Sequence, residues 1–125
     1  MGYRTVRTQD VEPTPDRPCE LRRLTEAAGL EQVALNRYSV EPGEEIPLAY
    51  HYHDEQEEAF YVISGTIEIK TPEGTFEVGG DELFAAEPES PHRAYCPDGA
   101  DETAEVLAVG APQADGDVHA YEPDE

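Results

Sequence analysis

The chain has 125 residues, with 8 Lys and Arg against 29 Asp and Glu and a formal net charge of −21. Phosphate backbones and anionic lipid surfaces are held through Lys and Arg, so a chain this negative is expected to bind neither nucleic acid nor membrane. Its length suits a single domain with one core and one site.

Residues 1–18 hold Pro13, Pro15 and Pro18 among charges and read as a flexible N-terminal arm. The arm lacks the apolar stretch of a secretory leader, and the longest apolar runs fall far short of the roughly 20 residues that span a bilayer. A cytoplasmic location is therefore expected, and with it free thiols at Cys19 and Cys96. The bases are seven Arg and the single Lys70, while the acids are spread along the whole chain. That distribution fits a surface solvated for a salt-rich, halophilic cytoplasm.

A mean hydropathy of −0.66 leans toward disorder, but residues 19–110 are patterned. Apolar residues recur there mostly with period two, in short runs closed by Gly and Pro. Strands are predicted at 20–25, 32–40, 46–53, 58–64, 66–71, 75–78, 82–86, 92–96 and 103–109, with a short helix or turn over 26–29. Pro42-Gly43, Ser64-Gly65, Gly79-Gly80-Asp81 and Pro97-Asp98-Gly99 supply turn geometries that strand residues resist. Nine short strands without a long helical period predict an all-β fold, a double-sheet jelly roll or small barrel. Residues 111–125 carry five acids, two prolines and no Lys or Arg. They read as a loose acidic C-terminal tail, with His119 in solvent.

The histidine spacing carries the chemistry. His51 and His53 sit two apart on one strand, so their imidazoles leave the same face. Glu58 opens the next strand after the acidic turn 54–57, and His92 opens a later strand beyond a Pro-rich turn. Three imidazoles and a carboxylate suit a divalent transition ion, Fe, Mn, Zn or Ni, with one or two coordination positions left open. Glu57 competes with Glu58 for the carboxylate role. Glu58 is preferred because its face continues as Phe60 and Val62, apolar residues suited to lining a pocket beneath an ion. Cys96 has no histidine placed in sequence to activate it and is read as a small buried hydrophobe.

These spacings resemble the first cupin motif: Gly43, His51-Tyr52-His53, Glu58 and Gly65, with four residues between His53 and Glu58 and six between Glu58 and Gly65. Gly80-Asp81, Pro88, Pro91 and His92 resemble the second motif. The loop from Gly43 to His51 and the run from Gly80 to Pro88 are longer than the family pattern, and Cys96 stands where the pattern closes with Asn. The resemblance implies a double-stranded β-helix (jelly-roll) barrel over 19–110 that holds a metal and a small-molecule ligand. Its family spans dioxygenases, isomerases, decarboxylases and non-catalytic binding modules. The expected function is a metal-dependent enzyme acting on a small polar metabolite, dioxygenase-like ahead of isomerase. The alternative is a metal-containing small-molecule sensor or storage module. The chain holds no His-Glu-x-x-His, no G-x-S-x-G and no Walker loop.

Strand alternation turns Tyr50, Tyr52, Arg93 and Tyr95 away from the histidines, and Arg37 is expected to pair with the acidic surface. Tyr50, Tyr52, Tyr61, Ile63 and Tyr95 then form outward faces that a homodimer would cover.

Overall fold

The computed structural model describes residues 2–113 and 116–123. Among them lie ten strands: β1 (Glu20–Arg23), β2 (Ala34–Val40), β3 (His51–His53), β4 (Glu57–Ser64), β5 (Thr66–Thr71), β6 (Gly74–Gly79), β7 (Leu83–Ala86), β8 (Arg93–Tyr95), β9 (Ala104–Ala111) and β10 (Val118–Ala120). The helical content is one 3-10 turn, Thr8–Asp10, and 26–29 is a turn closed by Gly29 N–H to Glu26 O.

All pairings are antiparallel. One sheet runs β1-β2-β9-β4-β7, a second runs β6-β5-β8, and β10 pairs with β3. Bridges Glu45–Tyr95 and His51–His92 join β3 and the residues before it to β8, so the smaller sheets form one layer facing the five-stranded one. Alternation then sorts the side chains. On β9 every second residue, Ala104, Val106 and Ala108, is buried, and on β4 Phe60 and Val62 are. They meet Ile67 and Ile69 of β5 and Val40 of β2, forming one continuous core. This is the all-β jelly roll that the turn spacing predicted.

Two differences from the sequence expectation have local causes. The strand expected over 46–53 begins only at His51. Pro47 offers no N–H to a ladder, and Leu48 turns the chain with a φ of 73°. Gly65 shows why that motif position is glycine: at φ 82° a Cβ would stand 2.7 Å from Ala104 Cα and 2.8 Å from Thr103 O.

The termini depart furthest from expectation. Thr14 N–H bonds Leu21 O, and the Arg22 guanidinium donates to Gln9 O and Val11 O, so the N-terminal arm is tied to β1. The tail expected to be loose supplies β10. Val118, His119 and Ala120 pair with His53, Tyr52 and His51, which gives the short β3 a neighbour on that side. Residues 114, 115, 124 and 125 of that tail lie outside the described residues. Both cysteines are free, as expected, and both are buried.

Candidate metal centre

The site is assembled by backbone pairing. His51 and His92 exchange hydrogen bonds, N–H to O at 3.1 and 2.9 Å, which sets two motifs far apart in sequence side by side. His51 and His53 alternate inward on β3, and Glu58 reaches in from β4. His51, His53 and His92 are 5%, 7% and 2% exposed, whereas Glu57 is exposed. Glu58, not Glu57, therefore enters the cluster.

Glu58 Oε1 lies 2.9 Å from His92 Nε2, 3.3 Å from His53 Nε2 and 3.8 Å from His51 Nε2. The donor atoms of His51, Glu58 and His92 all fall within 4.8 Å of one another, and His53 joins through Glu58. Bonds of about 2.0–2.2 Å to one ion place neighbouring ligand atoms roughly 3 to 3.5 Å apart. The spacing thus fits a single divalent ion.

Tautomers make the same point. His51 Nδ1 faces Ala49 O at 3.1 Å and His92 Nδ1 faces Ser90 O at 2.9 Å. A carbonyl can only accept, so Nδ1 carries the proton and Nε2 presents a lone pair. A lone pair and a carboxylate oxygen 2.9 Å apart need a cation between them, a proton or a metal. His51 Nε2 and both ring nitrogens of His53 are buried without a hydrogen-bond partner, which is rare unless something else satisfies them.

Burial acts to raise the Glu58 carboxyl, but the imidazoles of His51, His53 and His92 gathered around it outweigh that and hold the group well below the usual carboxylate range. Burial acts to lower His51, and Glu58 together with the Ala49 carbonyl reverses the sign, so its proton is held more tightly than usual. The cluster is built for positive charge.

A buried acid missed by the sequence reading supports this centre. Asp117, 7% exposed, accepts N–H bonds from Asp54, Glu55 and Gln56 at 3.0 to 3.2 Å. It thereby fixes the turn between His53 and Glu58. Burial would raise its carboxyl, and these bonds hold it below the usual range. Its Oδ2 is also 3.9 Å from His53 Nδ1. Nothing in a tail of five acids distinguishes this one by sequence; only its neighbour, Gly116 at φ 72°, hints at a turn.

A cavity of about 290 Å³ reaches His53 and Glu58, with Tyr38, Asn36, Ala108 and Gly110 on its walls. Phe60 and Val62, expected to line it, do not border it. The space opens toward β2 and β9, where small residues leave room. Phe60 instead packs edge-on beneath His92 at 5.8 Å, and Val62 is fully buried in the core.

The remaining expectations sort by face. Arg37 pairs with Glu105 at 2.8 Å, Arg93 with Glu45, Tyr95 with Glu68 and Tyr61 with Asp81. The C-terminal segment covers part of the outward aromatic face. Tyr121 packs on Tyr50, and His119 stacks on Tyr52 while pairing with Asp54 at 2.9 Å. His119 is thus half-buried instead of solvated.

Three imidazoles and one carboxylate thus gather at the mouth of a two-sheet β-barrel, a group that could hold a divalent metal. Residues 36–110 match the family described as Cupin domain, and the chain belongs to that family. No curated protein resembles the chain closely enough to count as a relative.

Solved structures extend the likeness. The polyketide cyclase RemF from Streptomyces resistomycificus aligns over 99% of this chain and 89% of its own, at 24% identity and TM-score 0.78. Streptomyces PAC13 with uridine aligns over 97% and 92%, at 15% identity and TM-score 0.73; Pac13 is described as a nucleoside dehydratase. A putative sugar phosphate isomerase from Acidithiobacillus ferrooxidans aligns over 76% of this chain and 60% of its own, at 25% identity and TM-score 0.66. Among the described residues no helix is long and apolar enough to cross a membrane.

Proposed function

We propose that the protein is a metal-dependent enzyme acting on a small polar metabolite, with His51, His53, Glu58 and His92 holding a divalent transition ion. The observation that carries this reading is the set of unsatisfied, buried imidazole nitrogens gathered on Glu58 at the floor of a cavity. When bound, the ion would act as a Lewis acid on a carbonyl or enol oxygen.

The chain's own groups favour proton-transfer chemistry, such as isomerisation, cyclisation or dehydration. Tyr38 is 7% exposed on the cavity wall. Burial first, and then the Glu58 charge, push its phenol above the usual value, so it stays protonated and can donate to an oxygen that gains negative charge. Asn36 beside it offers an amide to orient the same substrate. Leu48 and Val118 add apolar surface to the lining. The names of the structurally similar cyclase and dehydratase agree with this class. Dioxygenase chemistry is the second reading, supported by the coordination positions that a four-ligand set leaves open.

Metal analysis of protein purified without a chelating column tests the centre, and close to one ion per chain is expected. An oxygen-uptake screen over small metabolites then separates the readings. Turnover without uptake supports proton transfer, and uptake supports the dioxygenase. Tight ligand binding without any turnover would reject catalysis in favour of a sensor.

A further inference from the structure

We propose that the cavity above Glu58 receives a small organic anion, one oxygenated end meeting the metal centre and a terminal oxyanion, carboxylate or phosphate, held by Arg23 at the mouth. The inference rests on the metal-centre reading above and adds a substrate class to it.

Local charge is the first observation. Acids make up 29 of 125 residues, yet among the described residues the only carboxylate bordering this cavity is Glu58. Its other polar side chains are the His53 imidazole, the amides of Asn36, Gln56 and Gln113, the Tyr38 phenol and the Arg23 guanidinium. A second cavity, on the far flank of His92, is bordered by Glu73, Glu87 and Glu89, as the overall composition would lead one to expect. A divalent ion would more than neutralise Glu58. The floor would then be cationic and the mouth cationic, inside a molecule whose overall field repels anions. An anion that gains entry finds a complementary surface there.

The second observation is where Arg23 points and what it leaves unused. On β1, Arg23 shares a face with the buried Leu21 and lies opposite Asn36 of β2, which in turn lies opposite Ala108 of β9. Its side chain therefore starts on the inner face, beside a strip kept open by Ala108 and Gly110, and ends exposed at the mouth, where it borders two neighbouring hollows as well. Arg22, its neighbour, turns outward and is tied to Glu20 and to the N-terminal arm. Arg7, Arg37 and Arg93 are likewise paired with carboxylates, whereas Arg23, like Arg4 and Arg17, forms no ion pair among the described residues, and of these three Arg23 borders this cavity. A guanidinium fork facing a cavity is shaped for a carboxylate or phosphate.

Size sets the reach. Three strand steps separate β1 from β4, roughly 14 Å of backbone spacing, and the long arginine side chain shortens this to the span of a ligand of about four to six carbons. The cavity's volume of about 290 Å³ accords with such a molecule.

The test uses the full chain loaded with Co(II) and three probes at constant ionic strength: butyrate, glutarate and 3-phosphonopropionate. Calorimetry gives affinity, and the visible spectrum of Co(II) reports contact with the ion. Glutarate or 3-phosphonopropionate should bind the wild type at least about tenfold more tightly than butyrate. The better of the two identifies a carboxylate or a phosphate terminus. Arg23→Gln should remove that advantage while leaving butyrate and Co(II) affinities in place. Arg7→Gln, which deletes the same charge from the exposed surface, should leave the advantage intact. A second oxyanion that gives no advantage, or one that survives Arg23→Gln, overturns the inference alone. A wild type that binds no Co(II) overturns the metal-centre reading and this inference with it.

Discussion

His51 and His92 face each other as a reciprocally hydrogen-bonded pair, with N···O distances of 3.1 and 2.9 Å and ring centroids 4.6 Å apart. Through this pair the two halves of the candidate metal site hold each other in place, because displacing either strand breaks two backbone bonds and separates two imidazoles.

The first prediction separates the two adjacent carboxylates. Glu58→Gln removes the negative ligand from the cluster and should weaken metal binding by at least about 100-fold, beyond the usual loss for an outer partner. Glu57→Gln, at an exposed position, should leave the affinity nearly unchanged. His92→Ala should lose the ion while far-ultraviolet dichroism still reports a β fold. Competition with a chromophoric chelator measures all three.

Asp117 is expected to act on the ion from outside the ligand set. Asp117→Asn keeps the shape but weakens acceptance from Asp54, Glu55 and Gln56 and removes the charge near His53. Metal affinity should fall about 10- to 100-fold, with a smaller drop in melting temperature. Equal affinities in wild type and variant would confine Asp117 to holding the turn.

The thiols should be inert. Burial first, and then the charges of Glu44 and Glu20, push the Cys19 thiol up to about 12, and Cys96 is fully buried with its thiol also raised by burial. A disulfide reagent at pH 8 should label neither in the native protein within minutes and both in guanidinium. Fast native labelling would show that one thiol reaches solvent.

Salt should stabilise the fold. A net charge of −21 repels itself across the surface, and the screening length falls from about 10 Å at 0.1 M to about 3 Å at 1 M. The melting temperature should rise between dilute buffer and molar KCl. A flat or falling curve would mean that the acids are already neutralised by their own neighbours.

A homodimer is the expected assembly. With Tyr50 and Tyr52 covered by the C-terminal segment, the uncovered outward apolar residues include Leu83 and Ile63, 62% and 43% exposed. They lie on neighbouring strands, since Leu83 pairs with Tyr61. Light scattering in high salt should give twice the chain mass, and Leu83→Glu should return the monomer. A wild type that stays monomeric at micromolar concentration would leave that patch without a partner.

What the sequence determined by itself was the periodic part of the molecule. Alternation in 58–64, 66–71 and 103–109 marked strands and their inner faces, because burial on one side of a sheet has period two. The spacing His51-x-His53, Glu58 and Gly65 marked the candidate ligands for a related reason: the distances run along one strand and into the next, so they are local. Tertiary structure decided whatever depended on contacts between distant segments. Asp117 looked like any other tail acid until β10 paired with β3 and buried it. Tyr38, read only as a strand residue, became a cavity wall when β2 paired with β9. Arg37 and Arg23 differ little as sequence. Register across β1, β2 and β9 turned the first toward Glu105 on the surface and the second toward the cavity. Charge and periodicity are properties of the chain, whereas which charge faces which space is fixed only once the sheets close on one another.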